Sequence, residues 1–148
     1  MKKGYWQIAA LLFLVACFGA CKKSSPQVKT KIELLAQSTW KLSTAVAAGF
    51  GDITSQVPAC YKDNIYTFVS DGSGTINEST NVCSPTTAGP FTWSLLNNET
   101  TLHLSATIFT GGSSDFTLTS LTETNLVISQ VVTIAPLPAT NVTFTFIH

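Results

Sequence analysis

Apolar and polar residues alternate with a period of two through most of the chain from residue 39 to residue 148. Phe91 and Trp93 are separated by threonine, and Val142, Phe144 and Phe146 alternate with threonines near the end of the chain. Successive side chains of a strand point to opposite faces, so this period is typical of strands with one apolar and one polar face. The pattern therefore predicts a protein built mainly from half-buried β-strands.

Turn signals separate the predicted strands. The segments 71–74, 97–99 and 111–114 are rich in glycine, asparagine, aspartate and serine, and Pro136 and Pro138 interrupt a later apolar run. Counting the alternating segments between these turns gives about eight short strands, a number typical of a sandwich or a closed barrel. One short helix is predicted at residues 32–36, which consist of good helix formers. The fold class predicted is all-β with a short N-terminal helix.

The order of several segments resembles a known family. Trp40 lies within the segment 35–42, which is followed by 63–68 with the turn 70–74, then by 91–95 and by 121–128. This order resembles the lipocalin-like domains of lipoproteins from Gram-negative bacteria, and the resemblance extends over residues 33–148. It implies a small up-and-down antiparallel barrel of about eight strands. It includes no catalytic motif, and it implies ligand binding only by analogy with lipocalins.

The first twenty residues have the pattern of a secretory signal. Lys2 and Lys3 precede an uncharged, mostly apolar run at residues 4–20, which is densest at residues 8–18. A membrane-spanning helix needs about 20 apolar residues, so the dense run is too short to be one. A basic start followed by a short apolar region predicts export from the cytoplasm.

Two cysteines near the end of this run are candidates for lipid attachment. Cys17 follows Leu14-Val15-Ala16 and fits the usual lipobox, whereas Cys21 stands at the end of the apolar run and is followed by a polar stretch. The position favours Cys21, with Cys17 as the rival. We therefore expect a signal peptide at 1–20, a flexible tether at 21–31 and a barrel domain at 32–148. Lys22 does not resemble an inner-membrane retention signal, so the expected location is the outer membrane.

Two further cysteines, Cys60 and Cys83, remain in the exported domain. An even pair of cysteines in an oxidising compartment predicts a disulfide. The alternatives are a metal pair or a catalytic thiol. A metal site needs further ligands, and His103 and His148 are the only histidines of the chain. The sequence therefore predicts no metal site, and it places His103 on the polar face of its strand.

Large aromatic side chains occupy the apolar face of the predicted strands. They either fill the barrel as core or line a cavity for a small apolar ligand, since a barrel of about eight strands has room for either. The candidates for ligand lining are Trp40, Tyr66, Phe68, Phe91, Trp93, Phe116, Phe144 and Phe146.

Composition excludes several functions. After removal of residues 1–20 the chain has six lysines, no arginine and eight acidic residues, so no basic face for nucleic acid is expected. The sequence contains no Gly-x-Ser-x-Gly motif and no carboxylate pair with catalytic spacing, and Asp52, Asp63 and Asp71 are expected to cap turns. We therefore predict neither an enzyme nor a cofactor. The residues 71–76 resemble part of a calcium loop, but Val69 and Thr80 would take the places of two required ligands.

Two functions remain open at this point. The first is a lipid-anchored barrel that binds a small apolar ligand. The second is a structural or surface-interaction lipoprotein with a filled barrel that acts through its loops, for which the segments 49–61 and 83–90 are long enough.

Overall fold

The computed structural model describes residues 27–109 and 111–148. The predicted signal peptide and both candidate lipidation sites, Cys17 and Cys21, lie outside the described residues. Within the part of the chain that is described, no helix combines the length and the apolar character that crossing a membrane requires.

The described chain is mostly sheet with a few short helices. In chain order the elements are α1 (Lys31–Ala36), β1 (Thr39–Ala47), β2 (Gly51–Asp52), a 3₁₀ turn (Thr54–Gln56), α2 (Ala59–Lys62), β3 (Ile65–Phe68), β4 (Ser73–Asn77), β5 (Gly89–Leu96), β6 (Thr101–Leu104), β7 (Asp115–Leu121), β8 (Asn125–Val132) and β9 (Thr140–Ile147).

The strands form a closed antiparallel barrel. From β3 to β9 each strand pairs with the next along the chain, and β1 pairs with both β3 and β9. One end of β1, Thr39–Lys41, pairs with β3, while the longer part from Lys41 to Ala47 pairs with β9. The two-residue strand β2 only extends the end of β1. The result is the eight-stranded up-and-down barrel that the alternation and the family resemblance predict.

One end of the barrel, here called the closed end, is covered by α1. Thr30 and Glu33 form a capping box that starts this helix. Trp40 at the start of β1 is fully buried, and its indole Nε1 donates a hydrogen bond to the carbonyl of Leu35 at 2.9 Å. The ring of His148 packs against Trp40 with centroids 4.0 Å apart. The tight turns β3–β4, β5–β6 and β7–β8 lie at this same end, because the strands that they join run antiparallel.

The longer connections gather at the opposite end, here called the mouth. They are the segments 48–64, 78–88, 105–114 and 133–139. The sequence pattern predicts a plain loop at 49–61, but the structure has β2, the 3₁₀ turn and α2 there. These elements are only two to four residues long. A segment this short does not show a hydrophobic period, so the alternation pattern cannot reveal it.

The barrel interior is filled by its own side chains. All eight aromatic candidates for ligand lining are at most 8% exposed and belong to one hydrophobic core, which also includes Leu102, Leu104, Leu126 and Ile128. Tyr66 meets Phe146 edge to face at 5.5 Å, and Phe68 meets Phe91 and Trp93 in the same way. The space left among them is about 10 Å³, which is about the volume one water molecule needs. In this structure these side chains are core, the alternative that the sequence left open.

Candidate functional site

A layer of apolar side chains from the connecting segments covers the mouth. Ile53, Val57, Ile108, Phe109 and Ile134 are each at most 8% exposed. They come from three connections that are far apart in the chain. Phe109 stacks on Phe144 of β9 with ring centroids 4.1 Å apart. This layer separates the filled interior from the surface of the mouth.

Two neighbouring pockets lie above this layer, and the linings of both include Pro58 and Tyr61; they are here called the two lobes of the mouth cleft. The first, the apolar lobe, has a volume of about 160 Å³. Val57, Pro58, Phe109 and Ile134 line it, and the ring of Tyr61 meets Phe109 edge to face at 5.7 Å. Gln56, Thr133 and Ala135 complete its lining. The apolar lobe is therefore a small, mainly hydrocarbon recess beside two aromatic rings.

The second lobe, the hydroxyl lobe, also has Tyr61 in its lining and has a volume of about 450 Å³. Residues with hydroxyl groups, the two cysteines of the disulfide and two prolines line it. They are Pro58, Cys60, Tyr61, Cys83, Ser84, Pro85, Thr86, Thr87 and Thr107. The volume is within the range of roughly 300–1,000 Å³ that ligand pockets usually have. No charged side chain lines either lobe among the residues described.

A disulfide holds two walls of the hydroxyl lobe together. Cys60 in α2 and Cys83 in the β4–β5 connection form a bond with an S–S distance of 2.04 Å. The disulfide predicted from the cysteine count is thus confirmed. It joins segments that no strand pairing connects directly, so it fixes the width of this lobe.

The carboxylate of Glu78 organises the β4–β5 connection behind the hydroxyl lobe. Glu78 follows β4 directly, and only 5% of its surface is exposed. It accepts hydrogen bonds from the hydroxyls of Thr86 and Thr87 and from the backbone N–H groups of Thr87 and Cys83. The bonds from Thr86 and Thr87, with that from Cys83, outweigh burial and lower the pKa of Glu78 to about 2. Glu78 therefore stays charged at neutral pH and holds the wall of the lobe in place.

This network predicts a specific acid dependence of stability. The pKa of Glu78 in the folded protein is about 2, below its ordinary value of 4.5. The contribution of Glu78 to the free energy of unfolding is therefore complete at pH values above 4.5. The contribution is lost as the pH falls from about 5 to about 2, because protonation then favours the unfolded chain. In Glu78→Gln a neutral amide replaces the carboxylate, so part of the side chain becomes a donor that faces other donors. We expect the melting temperature of this variant to lie below that of wild type at pH 7, and the difference to shrink towards pH 2.

Thermal unfolding followed by circular dichroism across this pH range measures that difference. Glu99→Gln is the matched control, since Glu99 lies exposed at the closed end in the β5–β6 turn. A difference between wild type and Glu78→Gln that stays constant from pH 7 to pH 2 would contradict the assignment.

Asp63 joins two parts of the mouth rather than capping a local turn. Its Oδ2 accepts hydrogen bonds from the backbone and side chains of Thr80 and Asn81, 17 and 18 residues further along. Burial raises the pKa of Asp63, but these bonds outweigh it and lower the pKa to about 2. The expectation of a local turn cap is wrong for Asp63. Asp52 and Asp71 do accept from the backbone N–H two residues ahead, as expected.

The remaining candidate residues lie on the outer face of the barrel and in a turn at the closed end. His103 lies on the outer face of β6, and its Nδ1 is 2.6 Å from Asp115 of β7. No group of three histidine, cysteine, aspartate or glutamate side chains suited to a metal occurs among residues 27–109 and 111–148. The segment 71–74 covers the end of the β3–β4 turn and the start of β4, and Asp71 accepts hydrogen bonds there from the backbone N–H and the hydroxyl of Ser73.

The sequence indicated part of the cleft. The segments 49–61 and 83–90, which the sequence offered as interaction loops, contain most of its lining, and the cysteine pair links them. It did not indicate that Phe109 and Ile134, from two other connections, lie beside Tyr61. A pattern within one segment cannot show that these residues meet.

These features define a class: a small, closed, filled antiparallel barrel, with a helix across one end and a two-lobed cleft at the other. A comparison with protein-family models agrees, because the model described as a lipocalin-like domain matches residues 37–128. The match covers more than half of the chain, and the chain belongs to the lipocalin-like domain family. The family is generally one of non-enzymatic binding folds. No curated protein matches the sequence.

Proposed function

We propose that this protein is a lipid-anchored lipoprotein of the cell envelope whose lipocalin-like domain binds a small ligand in the mouth cleft. The observation that carries the ligand proposal is the contrast between the two possible sites. The interior has room for about one water molecule, whereas the cleft offers an apolar lobe and a hydroxyl lobe that share Pro58 and Tyr61 in their linings. The domain has no cofactor in this proposal and acts by binding rather than by catalysis.

The anchor is proposed from the sequence. The basic start, the short apolar run and the cysteine at its end support export and acylation of Cys21. A diacylglycerol and an amide-linked acyl chain together hold a protein stably on a bilayer, because two or more chains are needed for that. The outer membrane is the proposed location.

Incorporation of labelled palmitate in Cys17→Ala and Cys21→Ala variants tests the anchor. We expect label in Cys17→Ala and none in Cys21→Ala, because acylation requires the cysteine that follows the cleavage site. Label that survives in Cys21→Ala but is lost in Cys17→Ala would transfer the anchor to Cys17.

Native mass spectrometry of the protein purified from its own host tests ligand binding. We expect a retained small molecule in wild type and its loss in Tyr61→Ala, which removes the ring shared by both lobes. The matched control is Phe50→Ala. This aromatic residue is 52% exposed at the tip between β1 and β2 and does not line the cleft. The proposal would be contradicted if wild type retained no small molecule, or if Tyr61→Ala retained the same molecule to the same extent.

The second candidate is a structural or surface-interaction lipoprotein. The filled interior favours it, as does the cross-link between two mouth connections, which presents them as a rigid surface. The same experiment separates the two, since this candidate predicts a co-purifying protein and no small molecule.

A further inference from the structure

The residues that line the mouth cleft indicate which class of ligand it can bind. The clearest property of the lining is that it has no charged side chain that could pair with a charged ligand. The described lining contains no lysine, arginine, aspartate or glutamate. Lys62 follows Tyr61 in the chain but lines neither lobe. An anionic ligand would therefore lose water without gaining a cationic partner, which is costly.

A negative charge lies behind the hydroxyl lobe. Thr86 and Thr87 line this lobe, and both donate their hydroxyl hydrogens to the Glu78 carboxylate. These two hydroxyl donors are therefore not available to a ligand carboxylate or phosphate. None of the ion pairs found in the described part of the chain includes Glu78, so its charge is not neutralised by a lysine contact. An anion in the hydroxyl lobe would meet this negative charge through one layer of threonine side chains.

The two lobes also differ in size and polarity. A buried apolar cavity of roughly 150 Å³ is large enough for benzene, so the apolar lobe of about 160 Å³ matches one ring or a short alkyl group. The hydroxyl lobe is larger, about 450 Å³, and is lined by Ser84 and three threonines. A hydroxyl oxygen has two acceptor sites. One site of Thr87 is taken by the side-chain amide of Asn64 and one of Thr86 by the backbone N–H of Ala88, so each can accept one further hydrogen bond from a polar ligand group. The two lobes are neighbours, since Pro58 and Tyr61 belong to the linings of both.

We propose that the mouth cleft binds an uncharged amphiphile, with one ring-sized apolar group in the apolar lobe and a hydroxyl-rich polar portion in the hydroxyl lobe. This inference rests on the proposed ligand-binding function and names the ligand class for that site. It sets the cleft apart from a site for fatty acids or other anionic lipids.

A matched pair of probes tests the charge selection. Phenyl β-D-glucoside and phenyl β-D-glucuronide share the ring and the sugar, and they differ by a carboxylate on the polar portion. Methyl β-D-glucoside keeps the neutral sugar and lacks the ring. The processed, acylated protein is reconstituted in liposomes, and binding is measured by saturation-transfer NMR titration with empty liposomes as the blank.

We expect saturable binding of phenyl glucoside and at least about tenfold weaker binding of the glucuronide, because like charges at close range are costly. Methyl glucoside should also bind about tenfold more weakly, since it does not bury the ring. Tyr61→Ala should weaken phenyl glucoside binding by a similar factor, whereas Phe50→Ala should leave it unchanged.

The outcomes separate this inference from the proposed function. Glucuronide binding that equals or exceeds glucoside binding, and that is lost in Tyr61→Ala, would overturn the uncharged class but keep the cleft as a binding site. A Tyr61-dependent anionic molecule retained from the host would do the same. If no probe binds in a Tyr61-dependent way and no host molecule is retained, both proposals fail.

Discussion

Replacing Trp40 by alanine is expected to lower the free energy of unfolding by about 3–5 kcal/mol, the usual cost of removing a large buried aromatic side chain. Trp40 is fully buried, lines the small residual space in the barrel and contacts His148 near the end of the chain. It also ties α1 to the barrel through the bond to the Leu35 carbonyl. The change therefore leaves a cavity and frees the helix that covers the closed end.

Two further variants make the Trp40 result specific. Trp40→Phe keeps an aromatic ring but loses the indole hydrogen bond, and we expect an intermediate loss. Phe50→Ala removes an exposed aromatic residue, and surface changes of this kind usually stay within about 0.5 kcal/mol. Urea unfolding followed by circular dichroism measures all three. A loss below about 1 kcal/mol in Trp40→Ala would contradict the role assigned to this residue.

Replacing both disulfide cysteines, as Cys60→Ala with Cys83→Ala, is expected to cost about 3 kcal/mol. The bond closes a loop of about 24 residues, and opening it restores chain entropy to the unfolded state. We also expect faster amide exchange in α2 and in the segment 78–88, because the bond joins these two walls of the hydroxyl lobe. Exchange in the paired strands β7, β8 and β9 should change least.

A reductant provides the control for the disulfide. Reduction of the wild type should reproduce the stability of the double variant, and the same reductant should leave the double variant unchanged. Equal stability of oxidised wild type and double variant would show that the bond does not constrain the unfolded chain. Unchanged exchange at 78–88 would show that the Glu78 network alone holds that wall.

The eight strands of the barrel were predictable, unlike the two-residue β2, because each of them has an alternating pattern of its own. Residues such as Phe91 and Trp93, or Phe144 and Phe146, lie two positions apart, and this spacing alone indicates which face is buried. The short helix α1 was predictable from its residues, and Thr30 with Glu33 would have placed its start more exactly. The disulfide was predictable from the even cysteine count once the sequence led us to expect export, because an oxidising compartment favours pairing of two cysteines.

There is a physical reason why the complete cleft could not be predicted from the sequence. Its lining comes from connections separated by tens of residues, and the fold brings these connections together only because strands β3 to β9 alternate in direction. The bonds between Glu78 and Thr87, or between Asp63 and Asn81, likewise join residues that do not form a local motif. The sequence also left open whether the aromatic side chains fill the barrel. Packing decides that question, because it depends on how all the inward side chains fit together.

The described chain starts at Gln27 beside α1, at the closed end, and the cleft is at the opposite pole of the barrel. A lipid anchor upstream of Gln27 would therefore join the barrel at the pole opposite the cleft, and attachment itself would not cover the cleft. A ligand could then reach the cleft by diffusion through the surrounding aqueous phase. For a ligand that takes this route, its solubility as a single molecule in water would limit how fast the cleft fills.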